Sequence, residues 1–381
     1  MSMNVVEKLH LLSEASIWET AEDGCCLNPS YEPQDIVLTR AALPNGKSIS
    51  LLKSLLNSAC ENNCLYCPMR AGRDFRRAAF QPDEFAKLII HLTQAGLIQG
   101  VFLSSGVSGG GVHTQDQLID TARILRNLYK FNGYLHLKIM PGAEYDQIYA
   151  SMLLADRVSI NLEAPNEVRL KNLAPQKDFN SQLLNLIKTI SEIKKLPVTS
   201  RNWKDRWPSS CTQFVMGAAG ESDRELLDTT QSLHRLYQLT RAYYSAFKPH
   251  PDTPLAHHAP VSYARERRLY QADFLIRDYG FNQEELIFND QGNLPETQDP
   301  KRLWAEHHLR HQPVELNYAS REELLRIPGI GPRSTAKILQ IRRTQTIREL
   351  GSLAKIGVNT MRAQQFILLD GRQPARQLSL Y

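Results

Sequence analysis

Between residues 48 and 250 the chain alternates six short β-rich runs with amphipathic stretches, and this alternation limits the available folds more than any other feature. The runs are ISLLKSLL (49–56), GVFLSS (100–105), YLHLKIM (134–140), DRVSINLE (156–163), CTQFVMG (211–217) and RAYYSAF (241–247). Several are apolar with little alternation, the pattern of parallel strands covered on both faces. The stretches between them carry helix signals. PDEFAKLIIHLTQAG opens on Pro82 and two acids and closes at Gly96, and TQDQLIDTARILRNLYK and ESDRELLDTTQSLHRLYQL read the same way. Six β-then-α units predict an α/β fold with a parallel sheet and right-handed crossovers. Six units suit an open, partial (βα)6 barrel better than a closed eight-unit one.

The remainder divides by composition. Residues 1–44 read as an N-terminal extension, 45–255 as the barrel, 256–312 as a helical extension with the polar connection NDQGNLPETQDPK, and 313–381 as a separate all-helical module. From 301 to 381 there are 14 Lys+Arg against 6 Asp+Glu, a net of +8, whereas the other 300 residues carry 31 against 34. A near-neutral body with a basic tail implies a polyanion partner for the tail. The start, MSMNVVEKLHLLSEASIWE, lacks the basic and apolar regions of a signal peptide, and no run nears the ~18 apolar residues of a membrane span. The expected location is the cytoplasm, with no membrane partner.

Three of the six cysteines fall within eight positions, as Cys60, Cys64 and Cys67, in a C-x-x-x-C-x-x-C spacing just past the first strand. Such crowding is unsuited to disulfides and well suited to metal. Cysteine thiolates hold iron–sulfur clusters, and three thiolates on a four-iron cluster leave one iron open for chemistry. The bland alternative is a zinc knuckle short of one ligand, since no histidine lies between 11 and 90. Cys25, Cys26 and Cys211 read as ordinary thiols. RNWKDRWP (201–208) reads as a surface loop at the barrel end opposite the cysteines, and Arg265, Arg267 and Arg268 as a solvated helix face. Lys138 reads as a solvated strand-end lysine, with a carboxylate contact as the alternative.

With Tyr66 filling the aromatic place, CENNCLYC resembles the signature of the radical SAM superfamily, C-x-x-x-C-x-aromatic-C after the first strand of a partial (βα)6 barrel. The resemblance implies that Cys60, Cys64 and Cys67 hold a 4Fe–4S cluster and that S-adenosylmethionine chelates the fourth iron. One electron, from a donor such as a flavodoxin or ferredoxin, then yields a 5′-deoxyadenosyl radical that abstracts hydrogen from a substrate. Ser104, Ser105 and Gly106 stand where the family has a Gly-Gly-Glu-like motif contacting the methionine amino group; the alternative is a simple turn. Glu163 ends the fourth run, where the family contacts the methionine or ribose; it could instead cap the next helix. Gly217, Gly220 and Glu221 resemble the segment lying along adenine, although Glu221-Ser222-Asp223 is also an ordinary helix start.

In the tail, Ser320 and Glu323 form a capping box, followed by an apolar stripe, the turn Pro328-Gly329-Ile330-Gly331-Pro332 and a second helix. LLRIPGIGPRSTAKIL resembles the helix-hairpin-helix motif, which implies that backbone N–H groups around Gly329 and Gly331 hold a nucleic-acid phosphate, with Arg333 and Lys337 adding contacts. LGSLAKIGVNTMRAQQFIL (350–368) resembles a degenerate second copy with Gly357 at its turn. The bland alternative is a helix pair used for packing. Core and tail together resemble a group of radical SAM proteins associated with DNA modification or repair, whose genes commonly accompany a uracil-DNA glycosylase-like protein. The resemblance implies radical chemistry on a base or sugar of DNA; the alternatives are RNA or tRNA modification, and a non-enzymatic iron–sulfur adaptor for the glycosylase.

Overall fold

The computed structural model describes residues 3–16, 38–42 and 48–374. They group into two compact units, residues 1–221 with 232–261 and residues 222–231 with 262–381. Cys25 and Cys26 lie outside the described residues.

The first unit is built on one seven-stranded sheet whose spatial order follows the chain, β1 to β7. Helix α1 (Val5–Ala15) and strand β1 (Leu38–Ala42) precede five strand-then-helix units and a last strand. In order these are β2 (Ser48–Leu55), α2 (Pro82–Gln94), β3 (Gly100–Ser104), α3 (Gly110–Arg123), β4 (Tyr134–Lys138), α4 (Tyr145–Leu154), β5 (Arg157–Glu163), α5 (Glu167–Lys171), α6 (Asn185–Ile193), β6 (Ser209–Met216), α7 (Asp223–Tyr237) and β7 (Arg241–Ala246). All pairings from β2 to β7 are parallel, as the six apolar runs require, whereas β1 adds an antiparallel edge to β2 through the register Leu38↔Leu52 to Ala42↔Ser48. That edge was not readable from LTRAA, which is too short and too polar to carry a strand period. Helix α1 begins at Asn4 with a reciprocal capping box to Glu7 and buries Leu9 and Leu12.

The loop 201–208 lies at the surface, with Arg201, Lys204, Asp205 and Arg206 exposed, and is tied down by side-chain contacts. Trp203 lies flat on the Arg126 guanidinium at 3.7 Å, and its Nε1 donates to Asp156 at 3.2 Å. Arg126 and Lys204 close on the same carboxylate at 3.0 and 2.9 Å. Asp156 is buried just ahead of β5, so unpaired it would be costly, and the basic loop supplies its counter-charges.

In the second unit, α8 (Tyr263–Tyr279), α9 (Pro300–His308), α10 (Arg321–Arg326), α11 (Pro332–Ile341), α12 (Leu350–Lys355) and α13 (Thr360–Ala363) are joined by a two-stranded sheet of β8 (Val314–Glu315) and β9 (Ile367–Leu368). Ala305 and Leu309 share one apolar core with Leu324, Ile338, Leu353 and Phe366, so the helical extension packs with the tail rather than linking to it. Arg265 does not lie on a solvated face. Its Nε donates to the fully buried Asp223 at 2.8 Å, because a carboxylate removed from water needs a counter-charge. Arg268 likewise donates to Glu296 O and to Gln271.

Lys301 is buried in this unit. Its Nζ donates to Ile330 O at 2.6 Å and sits 4.4 Å from the centre of the Tyr279 ring. Burial pulls its pKa down to about 7, against the pull of Asp299 and with the help of Arg362 and Arg326. Between that value and the unfolded one, the unfolded chain holds a proton that the folded chain has released. Stability of this unit therefore rises with pH above 7, with a slope of at most ~1.4 kcal/mol per pH unit. Thermal melts from pH 7 to 9 should show the rise in the wild type and lose most of it in Lys301→Met; parallel curves would refute it.

Candidate active site

The end of β2 runs into a loop that carries all three clustered cysteines, and the loop's shape is set by hydrogen bonds rather than by a helix or strand. Arg77 ties it together: Nη1 donates to Ser58 O at 2.8 Å and Met69 O at 3.2 Å, and Nη2 to Arg70 O at 3.0 Å and Arg73 O at 3.3 Å. Its guanidinium also lies 4.1 Å from the Phe75 ring. Outside contacts anchor the loop through Leu65 N to Leu173 O at 2.7 Å and Glu61 N to Val107 O at 2.8 Å. Gly106 comes closest. A Cβ there would stand 2.4 Å from Ala59 O and 3.1 Å from Asn57 O, both backbone atoms that cannot rotate away. Gly106→Ala should therefore displace the loop at a cost of about 1–3 kcal/mol. Iron uptake during reconstitution should fall with it, and an unchanged iron content would show that the close approach is dispensable.

Cys60, Cys64 and Cys67 line one cavity of ≈ 160 Å³ together with Tyr66, Ser104, Ser105, Gly106 and Glu163. None of the three is in a disulfide. Burial pushes the Cys64 and Cys67 thiols up. Met69 N donates to the Cys67 sulfur at 3.4 Å. Burial and then the Glu163 carboxylate push the Tyr66 hydroxyl well up. Among the described residues no three His, Cys, Asp or Glu side chains converge tightly enough to grip a single ion, so the cysteines flank the cavity rather than forming a knuckle around one zinc.

Glu163 closes β5 at a register shift and holds φ +66, a left-handed conformation unusual for a residue other than glycine. Such strain persists only where the surroundings impose it. Lys177 does so here, its Nζ donating to Oε1 at 2.9 Å. Burial raises the Glu163 carboxyl, but the Lys177 charge and hydrogen bond, with Lys138 and the Tyr66 hydroxyl, outweigh it and hold the group below the usual carboxylate range. The second oxygen, Oε2, is buried without a hydrogen-bond partner.

Several expectations change. Lys138 is not solvated: it is 6% exposed, lines the cavity, and donates to Asn161 Oδ1 at 2.8 Å. Gly217 and Glu221 do not line the cavity. The Glu221 carboxylate folds back to accept from Gly217 N, and from Ala219 N at 3.1 Å, so it shapes its own loop. The helix begins two residues later at Asp223. Cys211 is buried inside the sheet, 3.9 Å from His136 Nε2. Lys177, Asn161, Gln213, Lys248 and His250 also line the cavity.

The Radical SAM superfamily model matches residues 55–233. Residues 55–233 are a radical SAM domain. A 4Fe–4S cluster and S-adenosylmethionine are the cofactors of radical SAM enzymes. No curated protein matches the chain. Among solved structures, methylornithine synthase aligns at 12% identity over 59% of this chain and 61% of its own, with a TM-score of 0.46. The FeFe-hydrogenase maturase HydG from Carboxydothermus hydrogenoformans aligns at 14% over 59% and 51%, TM-score 0.47. A radical SAM methyltransferase from Sphaerobacter thermophilus aligns at 14% over 61% and 69%, TM-score 0.44. The chain spans less than two thirds of the first two.

The site's residues fit both cofactors. Three thiols on one loop would supply the cluster ligands, and among the described residues no fourth cysteine lines the cavity to block an open iron. The orphaned Glu163 Oε2 offers an acceptor for a hydroxyl or ammonium group, and Lys177 a counter-charge nearby.

Proposed function

We propose that this radical SAM enzyme acts on a nucleic acid, with DNA as the substrate. Cys60, Cys64 and Cys67 would hold the cluster; Tyr66, Ser104, Ser105, Gly106, Glu163 and Lys177 would surround S-adenosylmethionine. Once reduced by an electron donor, the bound pair supplies a 5′-deoxyadenosyl radical that takes hydrogen from the substrate. The chain's own task is geometric. Gly106 lets the cysteine loop close on the β3 exit, the Glu163–Lys177 pair keeps a fixed charge at the β5 exit, and the apolar walls Leu55, Val215 and Phe247 keep water from the reacting atoms. Gly217 and Glu221 serve by holding the loop after β6.

The observation that carries the nucleic-acid reading is in the second unit. The turns at Gly329 and Gly357 both have positive φ, at 87° and 89°. They pack together through Asn359 N to Gly329 O at 3.0 Å and Ser334 Oγ to Gly357 O at 3.1 Å. Helix α11 starts at Gly331 with no side-chain cap and Pro332 in its first turn, so the N–H groups that follow have no partner within the helix. Arg333 and Lys337 are exposed beside that start, Lys337 also reaching Ile356 O at 3.3 Å. Open N–H groups, a helix dipole and flanking cations form a phosphate site. A helix-hairpin-helix tail gripping the backbone fits this geometry; a glycosylase partner processing the product rests on the family resemblance alone.

The test is anaerobic formation of 5′-deoxyadenosine by the reconstituted, reduced enzyme with duplex DNA, single-stranded DNA or tRNA. DNA should stimulate it. Changing both Arg333 and Lys337 to Glu should raise the DNA required by about tenfold or more at low salt. Stimulation by tRNA alone would move the substrate to RNA, and indifference to every nucleic acid would overturn the reading.

A further inference from the structure

The second unit holds a cavity of ≈ 290 Å³ that shares no residue with the cysteine cavity. It is lined by Gly329 and Gly331 of the hairpin turn, by Phe274 and Tyr279 of α8, and by Lys301 and Arg362.

Lys301 is 8% exposed, and its positive charge is poorly provided for. An ammonium carries three N–H donors. Nζ makes one hydrogen bond, to Ile330 O at 2.6 Å, and rests 4.4 Å from the centre of the Tyr279 ring. The nearby carboxylate of Asp299 is engaged elsewhere: Oδ1 accepts from Arg302 N at 3.0 Å, and Oδ2 pairs with Arg362 Nη2 at 3.2 Å. The other charges acting on Lys301 are the guanidiniums of Arg362 and Arg326, and Arg326 is itself paired with Glu285 at 2.8 Å. A buried amine with one acceptor and two guanidiniums near it is better accommodated neutral, in keeping with its pKa of about 7. A neutral lysine has a lone pair, which in a cavity can act as a nucleophile.

Tyr279 supplies a proton-bearing group beside it. Burial, then the Asp278 and Asp299 carboxylates, push its hydroxyl above the usual range, so it stays protonated at neutral pH. That oxygen lies against the turn, 3.2 Å from where a Cβ on Gly331 would stand.

We propose that Lys301 is a nucleophile toward an aldehyde, and that its substrate is the ring-opened sugar of an abasic site in DNA. The inference rests on the nucleic-acid reading above, because the grip on the backbone is what brings a sugar to this cavity. A phosphate held at the N–H groups after Gly331 puts the adjoining sugar beside residues that line it. Among the sugars of a nucleic acid only an abasic one opens to an aldehyde; a nucleotide that keeps its base has C1′ bonded to nitrogen and a closed ring. A phosphate is a poorer occupant of the cavity itself, since the Asp299 carboxylate also lines it. In the reaction the Lys301 lone pair bonds to C1′ and the C=O pair moves onto oxygen. That oxygen takes one proton from the amine and one through the Tyr279 hydroxyl and leaves as water, giving a protonated imine. The C2′ proton then passes to water, its electron pair forms a C2′=C3′ double bond, and the C3′–O bond breaks with its pair on the departing phosphate. Hydrolysis of the C=N bond returns the amine, and no oxidant or reductant is consumed.

The test is reductive trapping with cyanoborohydride on the full-length reconstituted enzyme. Three probes are compared: a duplex with an abasic site, the same duplex with a tetrahydrofuran at that position, which has no aldehyde, and free 2-deoxyribose. The abasic duplex should give a covalent adduct whose mass maps to the peptide containing Lys301, and the other two should give none there. Lys301→Arg, which keeps a donor for Ile330 O and cannot form the imine, should lose the adduct. Because the adduct is mapped in the wild type, the result does not depend on how a variant folds. No adduct at Lys301 from a duplex that the enzyme binds, or equal labelling by free 2-deoxyribose, would overturn the inference and leave the nucleic-acid reading standing. Failure to bind either duplex would overturn both.

Discussion

Replacing Cys64 by alanine leaves a folded chain that takes up almost no iron. Cys64 is the most buried of the three cysteines, yet it stands on a loop outside the sheet, and the strands on either side are held by their own ladders. Loss of one small side chain there should cost the fold about 1–2 kcal/mol at most. The cluster is different, because two thiolates cannot anchor four irons as three can. Reconstitution should yield about four irons per wild-type chain and a small fraction of that in Cys64→Ala. Production of 5′-deoxyadenosine should vanish in parallel, with far-ultraviolet circular dichroism unchanged. Full iron content in the variant would remove Cys64 from the ligand set.

The second large effect is expected at Lys177. Its ammonium is the counter-charge of Glu163, whose side chain is 3% exposed and already carries one oxygen without a partner. Lys177→Met leaves that carboxylate buried and uncompensated, a change that typically costs about 3–5 kcal/mol. The pH dependence identifies the cause. With Lys177 in place the Glu163 carboxyl is held below its ordinary range, so its stabilising contribution is present above the unfolded value and lost as pH falls through the folded one. In Lys177→Met the carboxyl rises instead, and protonation relieves the penalty. The gap between wild type and variant in thermal midpoint should therefore narrow as pH falls from 7 toward 4. Adding Glu163→Gln should recover most of the loss at pH 7. A gap independent of pH would assign the effect to packing of the lysine stem.

Much of this was legible in the chain itself. The six parallel strands follow from apolar runs that do not alternate, and their observed bounds differ from the runs by two or three residues at most. The cysteine loop follows from spacing alone, since three ligands within eight residues need no distant partner. Strand-end positions such as Ser104 and Glu163 were identified because in a parallel sheet successive strands end at one side, so a polar residue closing an apolar run is directed to the site. Other readings failed for a common reason. Lys138 and Arg265 look solvated in sequence because they are basic, and each is committed to a buried or half-buried partner brought from elsewhere: Asn161 and Asp223. The helix start read at Glu221-Ser222-Asp223 is present, with α7 beginning at Asp223 and capped by Ser222 and Glu225, while Glu221 itself folds onto its own glycine turn.

What the sequence determined by itself is therefore periodic or local: strand order, the cysteine loop, the glycine turns of the tail. These depend on residues a few positions apart, whose geometry the backbone imposes. Only the tertiary structure decided which charges are buried together, which side chains meet in the cavity, and that Lys177 balances Glu163. Those pairings join side chains 14 to 48 positions apart, and their energies depend on exclusion from water, a property of the packed chain that no local stretch possesses.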